Sequence, residues 1–173
     1  MKKDTDAPFF RYLFYGTEDK TQCMFCTTAG SVKIKPNAVY PPRINDHPAP
    51  YRLVLTNRIL SEFQLLYITE GEGVFTSGDT TYQVKPGSAL LLLPGINHAY
   101  HPLPETGWHE YWVGFTGAYF LDLVETGCLS QEKVFFKPGC MILFCPLLLK
   151  CLIGKDAGIY LIIISRYWKK LNY

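Results

Sequence analysis

The chain has 173 residues and a net charge of +2, enough for one domain with a short appendage and for a core that needs neither disulfides nor metals. That charge balance excludes a large basic face for nucleic acid and an acidic disordered tail. With 12 Tyr, 11 Phe, 14 Gly and 12 Pro, the composition suits strands and turns better than a helix bundle.

The N-terminus, MKKDTDAPFF, has no apolar core of a secretory signal. The longest apolar runs, residues 140–149 and 159–164, are too short to span a bilayer. A cytoplasmic protein without membrane contact is expected, and the six cysteines are then reduced thiols. Cys23 and Cys26 form one CxxC without a second pair, which reads as structural.

Along the chain, residues 9–14 are aromatic-rich and 22–28 alternate weakly. Residues 31–35 form a clean period-2 strand ended by Pro36-Asn37. Five prolines between 36 and 51 predict an irregular arm lying on something else. Residues 63–69, 74–76, 80–84 and 88–93 read as strands separated by Gly-bearing turns, the spacing of a β-sandwich or barrel. Residues 108–115 add another strand, with Trp108, Glu110 and Trp112 on one face and His109, Tyr111 and Val113 on the other. After Gly117 the period becomes helical through Tyr119, Phe120, Leu123 and Val124 and ends at Gly127, so a helix is expected near 118–126. Residues 129–132 begin a short turn, and 134–136 are a last apolar segment.

The turn Glu70-Gly71-Glu72-Gly73, then Pro86-Gly87, a six-residue strand and Pro94-Gly95-Ile96-Asn97-His98 resemble the two motifs of the cupin superfamily. That resemblance implies two hairpins of a jelly-roll barrel facing each other. Metal-binding cupins take two His and a Glu from the first motif and one His from the second. Here His98 stands at the second-motif position, Gln64 stands where the Glu would be, and residues 58–61 contain no histidine. One imidazole is too few for a divalent metal, so neither metal nor cofactor is expected. His98 reads equally as a hydrogen-bonded histidine at the barrel mouth and as a ligand-binding one.

The run from Trp108 to Gly117, leading into Tyr119 and preceded by Tyr67-Ile68-Thr69-Glu70, is similar to the N-terminal regulatory domain of AraC-family transcription regulators. Tyr40-Pro41-Pro42-Arg43 and Leu129–Lys133 add to the likeness, which runs from about residue 8 to 139. It implies an effector-binding cupin barrel followed by helices that pair subunits, and a sugar stacked on a Trp inside the barrel. By that resemblance the Trp is Trp112, the Tyr after the second-motif His is Tyr100, and the polar residue two before the Trp is Glu110. Arg58 matches loosely an Arg before the first hairpin. The candidate ligand-binding set is therefore Arg58, Gln64, His98, Tyr100, Glu110 and Trp112. The plainer reading of Trp112 is core filling, and an inward Glu110 would need a ligand, a water or an Arg neighbour.

The composition changes near residue 139. Fourteen of 15 acidic residues lie in 1–139, whereas 23 of the last 34 residues are apolar. Two units are expected: a cupin effector-binding domain, 1–139, and an atypical hydrophobic tail, 140–173, arising either from a reading-frame change or as a genuine divergent segment. The resemblance implies two helix-turn-helix units beyond the barrel, and the tail shows no such pattern, so no direct DNA binding by this chain is expected. The expected architecture is all-β, a cupin-like jelly-roll barrel with a short C-terminal helical segment. The expected role is non-catalytic sensing of a small molecule, a carbohydrate, by a homodimer. A small cupin enzyme, such as a sugar isomerase or metal-dependent dioxygenase, is the alternative.

Overall fold

A computed structural model describes residues 8–13, 23, 25–42 and 58–136. The tail beyond residue 136 and Pro48 and Pro50 of the proline-rich arm lie outside the described residues.

Among the described residues, nine strands form two antiparallel sheets. In chain order they are β1 (Phe9–Tyr12), β2 (Phe25–Ile34), β3 (Phe63–Gly71), β4 (Gly73–Ser77), β5 (Thr80–Val84), β6 (Ala89–Leu92), β7 (His98–Pro102), β8 (Trp108–Thr116) and β9 (Phe135–Phe136). Helix α1 (Ala118–Glu125) and a 3₁₀ turn, Gln131–Lys133, sit between β8 and β9. The larger sheet runs β1-β2-β8-β3-β6-β9 and the smaller β5-β4-β7. This is the expected cupin-like jelly-roll, and the helix falls where the 3.6-residue period placed it.

Strands β3 to β6 and β8 coincide with the sequence reading to within two residues at either end. Strand β7 was not foreseen, because His98-Ala-Tyr-His-Pro carries no long apolar alternation. It pairs with β4 through Phe75 opposite Tyr100 and Ser77 opposite His98. The weak alternation at 22–28 and the clean strand at 31–35 turn out to be one strand, β2, broken by a bulge between Cys26 and Thr28.

Cross-strand partners share a face, so registers define the interior. Glu110 lies between Val32 and Ile68, and Trp112 between Gly30 and Leu66. Leu66 in turn faces Leu90, and Gln64 faces Leu92. These residues line the barrel. The opposite face of β8 and β3 carries Val113, Phe115, Phe63 and Leu65, and α1 covers its end. Phe120 sits 4.4 Å from the Phe115 ring and 5.6 Å from Phe63. Both faces of these strands are therefore buried, which is why β3 reads as a continuous apolar run from Leu65 to Ile68.

The sheets close at two seams. On one, Tyr82 of β5 stacks at 4.9 Å on Phe135 of β9. On the other, the backbone of Arg58 pairs with His98 in both directions, and the Tyr40 hydroxyl donates to the Tyr100 carbonyl at 3.2 Å. Cys26 is buried in β2 and Cys23 is exposed, both as free thiols. No helix among the described residues is long and apolar enough to cross a membrane.

Candidate functional site

A barrel with Leu66, Ile68, Leu90 and Leu92 on its wall is apolar, yet charged and aromatic groups converge on its middle. Arg58 is buried at 6% exposure and Glu110 at 2%. Arg58 Nη1 donates to the Tyr100 hydroxyl at 2.8 Å. The His98 ring lies parallel to that of Tyr100, 6° apart in plane, with centroids 6.4 Å apart. The Trp108 ring lies 6.0 Å from that of Tyr100, tilted by 33°. Arg58, His98, Tyr100 and Glu110 thus occupy one interior, although 52 residues of chain separate the first from the last.

Gln64 sits deeper. Its Nε2 donates to Glu62 Oε1 at 3.2 Å, and the Thr28 hydroxyl donates to the same oxygen at 3.4 Å. This local pairing occupies Gln64 at its amide nitrogen. Trp112 shares the face of Glu110 and is half-buried, its ring lying against Gly30. A methyl group at Gly30 would collide with the Trp112 ring, and one at Gly114 would collide with Thr28 and Glu62. Glycine at these two positions makes room for the inward side chains.

The electrostatics follow from burial. Desolvation pushes the Glu110 carboxyl up to about 8, with the Arg58 charge pulling the other way. Burial holds His98 down to about 4, partly offset by its bond to the Ile96 carbonyl. Burial likewise raises the Tyr100 hydroxyl to about 12, opposed by Arg58. Tyr40 is raised well above the usual phenol range, by burial first and then by Glu110.

Several of these groups end without a partner. Among the described residues, Arg58 Nε, His98 Nε2, Trp108 Nε1 and Glu110 Oε2 are buried and make no hydrogen bond. Buried polar atoms are paired nine times in ten or more. The His98 Nδ1 contact to the Ile96 carbonyl at 3.0 Å is a donation, which leaves Nε2 as an acceptor. The orphan set is thus two donors, Arg58 and Trp108, and two acceptors, His98 and Glu110. Among the described residues no three His, Cys, Asp or Glu gather to hold a metal ion. His109 points to the outer face, beside Tyr111 at 4.6 Å.

A match of the chain to the AraC-like ligand binding domain model covers residues 52–148, more than half its length. The chain belongs to the AraC-like ligand binding domain family. It is 36% identical over 67 residues to the lactose operon transcription activator of Staphylococcus xylosus, a match covering 39% of this chain and 24% of that protein. The chain therefore spans about a quarter of the curated relative it matches. Among solved structures, YhaK from Escherichia coli matches at TM-score 0.44 and 18% identity, over 64% of this chain and 45% of its own. The Cnp3 cupin domain of Schizosaccharomyces pombe matches at 0.40 and 14%, over 69% and 71%. A variant of Bacillus subtilis oxalate decarboxylase matches at 0.38 and 14%, over 68% and 34%.

Within this AraC-like domain, the structure adds residues that the sequence reading did not assign to the site. Trp108 was placed on the inner face with Glu110 and Trp112, and period-2 parity was the signal for it. Glu62, two residues before Gln64, had the same signal. Tyr40 had none, because it reaches the interior from an irregular segment. Tyr12, opposite Thr28 on β1, is close enough to Arg58 and Glu62 to feel both charges, while burial lifts its hydroxyl to about 12. A separate open pocket of about 490 Å³ lies at the Trp108 end of the barrel, lined by Ile34, Lys35, Tyr40, His101 and Pro102 among others. Tyr40 is its link to the interior.

Proposed function

We infer that this AraC-like domain senses a neutral carbohydrate held inside its barrel, as the non-catalytic, paired sensing part of a transcription regulator. One observation carries the reading: four buried polar atoms from Arg58, His98, Trp108 and Glu110 lack partners beside the rings of Tyr100 and Trp112. A sugar hydroxyl both donates and accepts, so adjacent hydroxyls satisfy a mixed set of donors and acceptors. The apolar face of a pyranose stacks on an indole. The similar Staphylococcus xylosus protein is named for the lactose operon, which makes lactose and its component monosaccharides the first probes. Exposed Leu121 and Val124 on α1 support pairing of two copies, which sedimentation would measure.

The test is a melting-temperature screen against neutral mono- and disaccharides. A ligand at a hundred times its Kd stabilises the native state by about 2.7 kcal/mol, a shift of several degrees. Trp112→Ala should abolish the shift. If no sugar moves the wild-type melting temperature, and Trp112→Ala merely costs about 3–5 kcal/mol of stability, the interior is core and the reading fails.

A further inference from the structure

Glu110 is an unusual group to enclose in a barrel. It is almost fully buried and its Oε2 has no partner among the described residues. Its cross-strand neighbours, Val32 on β2 and Ile68 on β3, are apolar. The nearby cation does not neutralise it by contact, since the Arg58 guanidinium directs Nη1 to the Tyr100 hydroxyl. The other titratable groups of this interior are Tyr40 from the segment after β2, His98 and Tyr100 from β7, and Glu62 and Tyr12 beyond Arg58. A bare carboxylate in such a site is costly, whereas a carboxylic acid is not.

Resting on the sensing reading above, we propose that Glu110 couples effector binding to a proton and, once ionised, selects the effector's charge: a neutral polyol donates a hydroxyl to the Glu110 carboxylate, the carboxyl proton leaves to solvent, and the ionised site refuses anionic sugars. A hydrogen bond to the charged form favours it, so the hydroxyl supplies the partner that Oε2 does not find among the described residues. Arg58 Nε and His98 Nε2 take the neighbouring hydroxyls. A uronic acid or sugar phosphate instead sets a second negative charge beside Glu110 in a medium of low dielectric.

Between pH 6 and 9 His98, Tyr100 and Tyr12 keep their protonation. His98 is already neutral above about 4 and Tyr100 holds its proton to about 12. Glu110, raised to about 8 by burial, is the group among these that changes. Before a sugar binds it is protonated at pH 7, so binding releases a proton there and affinity increases with pH until about 8. The gain approaches about tenfold per pH unit below that point.

The experiment is titration calorimetry at pH 6, 7, 8 and 9, in pairs of buffers with different ionisation heats. The probes are lactose, galactose and other neutral sugars, against galacturonate and galactose 6-phosphate. The expected result for the wild type is affinity for a neutral sugar rising at least about tenfold from pH 6 to 8, nearly one proton released at pH 7, and no uptake of the anionic probes at pH 9, where Glu110 is ionised. Glu110→Gln should bind with a flat pH profile, release no proton and admit galacturonate. Wild-type binding that is equal at pH 6 and 8 with no proton released overturns this inference and leaves sensing intact. So does a Glu110→Gln protein with the wild-type profile. Failure of every sugar to bind at any pH overturns the sensing reading and this one with it. The wild-type proton count stands by itself if the variant does not fold.

Discussion

At the scale of single residues, two buried groups oppose each other in how pH acts on stability. Glu110 has a folded pKa raised to about 8, so the native state holds a proton that the unfolded chain releases near 4.5. Its contribution is complete below about 4.5 and is lost as pH rises to about 8. His98 is lowered to about 4, so the unfolded chain binds the extra proton between about 4 and 6.5, and stability rises with pH over that range. The two slopes cancel between about 4.5 and 6.5. Above 6.5 only the Glu110 slope remains, with an upper limit of about 1.4 kcal/mol per pH unit. Urea unfolding of the ligand-free protein should thus show stability falling from pH 6.5 to 8. Glu110→Gln should remove that fall and be the more stable protein at pH 9. A wild-type curve that is flat from 6.5 to 8 would mean that Glu110 ionises in its ordinary range.

Among the elements, α1 has the weakest local credentials and the strongest tertiary reason to exist. It spans eight residues, has no side-chain cap at Gly117 and no acidic residue in its first turn. Isolated helices of that length are marginal. What holds it is Phe120 against Phe115 and Phe63, with Leu123 also buried. Phe120→Ala should cost about 3–5 kcal/mol and reduce helical signal before the sheet melts. By contrast, the Lys33–Glu70 ion pair at 2.9 Å joins β2 to the end of β3 with Glu70 more than half exposed. Neutralising it should change stability by less than about 1 kcal/mol. Guanidinium melts of the two variants, followed by circular dichroism, check both expectations. Near-equal losses would mean that helix docking is not what the Phe63–Phe115–Phe120 contact provides.

For the molecule as a whole, the proposed boundary at residue 139 is open to a direct measurement. β9 closes the larger sheet by pairing Phe135 with Leu90 and Phe136 with Ala89, so a chain ending at 139 keeps every described strand. We propose that residues 1–139 fold alone and melt within a few degrees of the full chain. The matched domain extends to residue 148, so a second truncation there is the informative control. If the 148-residue chain matches the full protein and the 139-residue chain does not, the barrel needs the intervening nine residues.

Period-2 alternation and Gly-bearing turns determined most of the strands, because each reports a local requirement. A half-buried strand must alternate, and a tight return needs a residue that tolerates positive φ, as at Gly71, Gly78 and Gly87. The same parity put Trp108, Glu110 and Trp112 on one face. That the face is the inside of a barrel was decided by sheet closure, through Tyr82 on Phe135 and Arg58 on His98, contacts 53 and 40 residues apart in the chain. β7 escaped the sequence because its order comes from pairing with β4 and not from its own pattern. Tyr40 escaped for a related reason: its hydroxyl satisfies a carbonyl at the free edge of a strand 60 residues away. Glu110 shows the division most plainly. Its place on the strand was legible from spacing alone, but whether its carboxyl is charged depends on desolvation by the barrel walls, and only the tertiary structure supplies those walls.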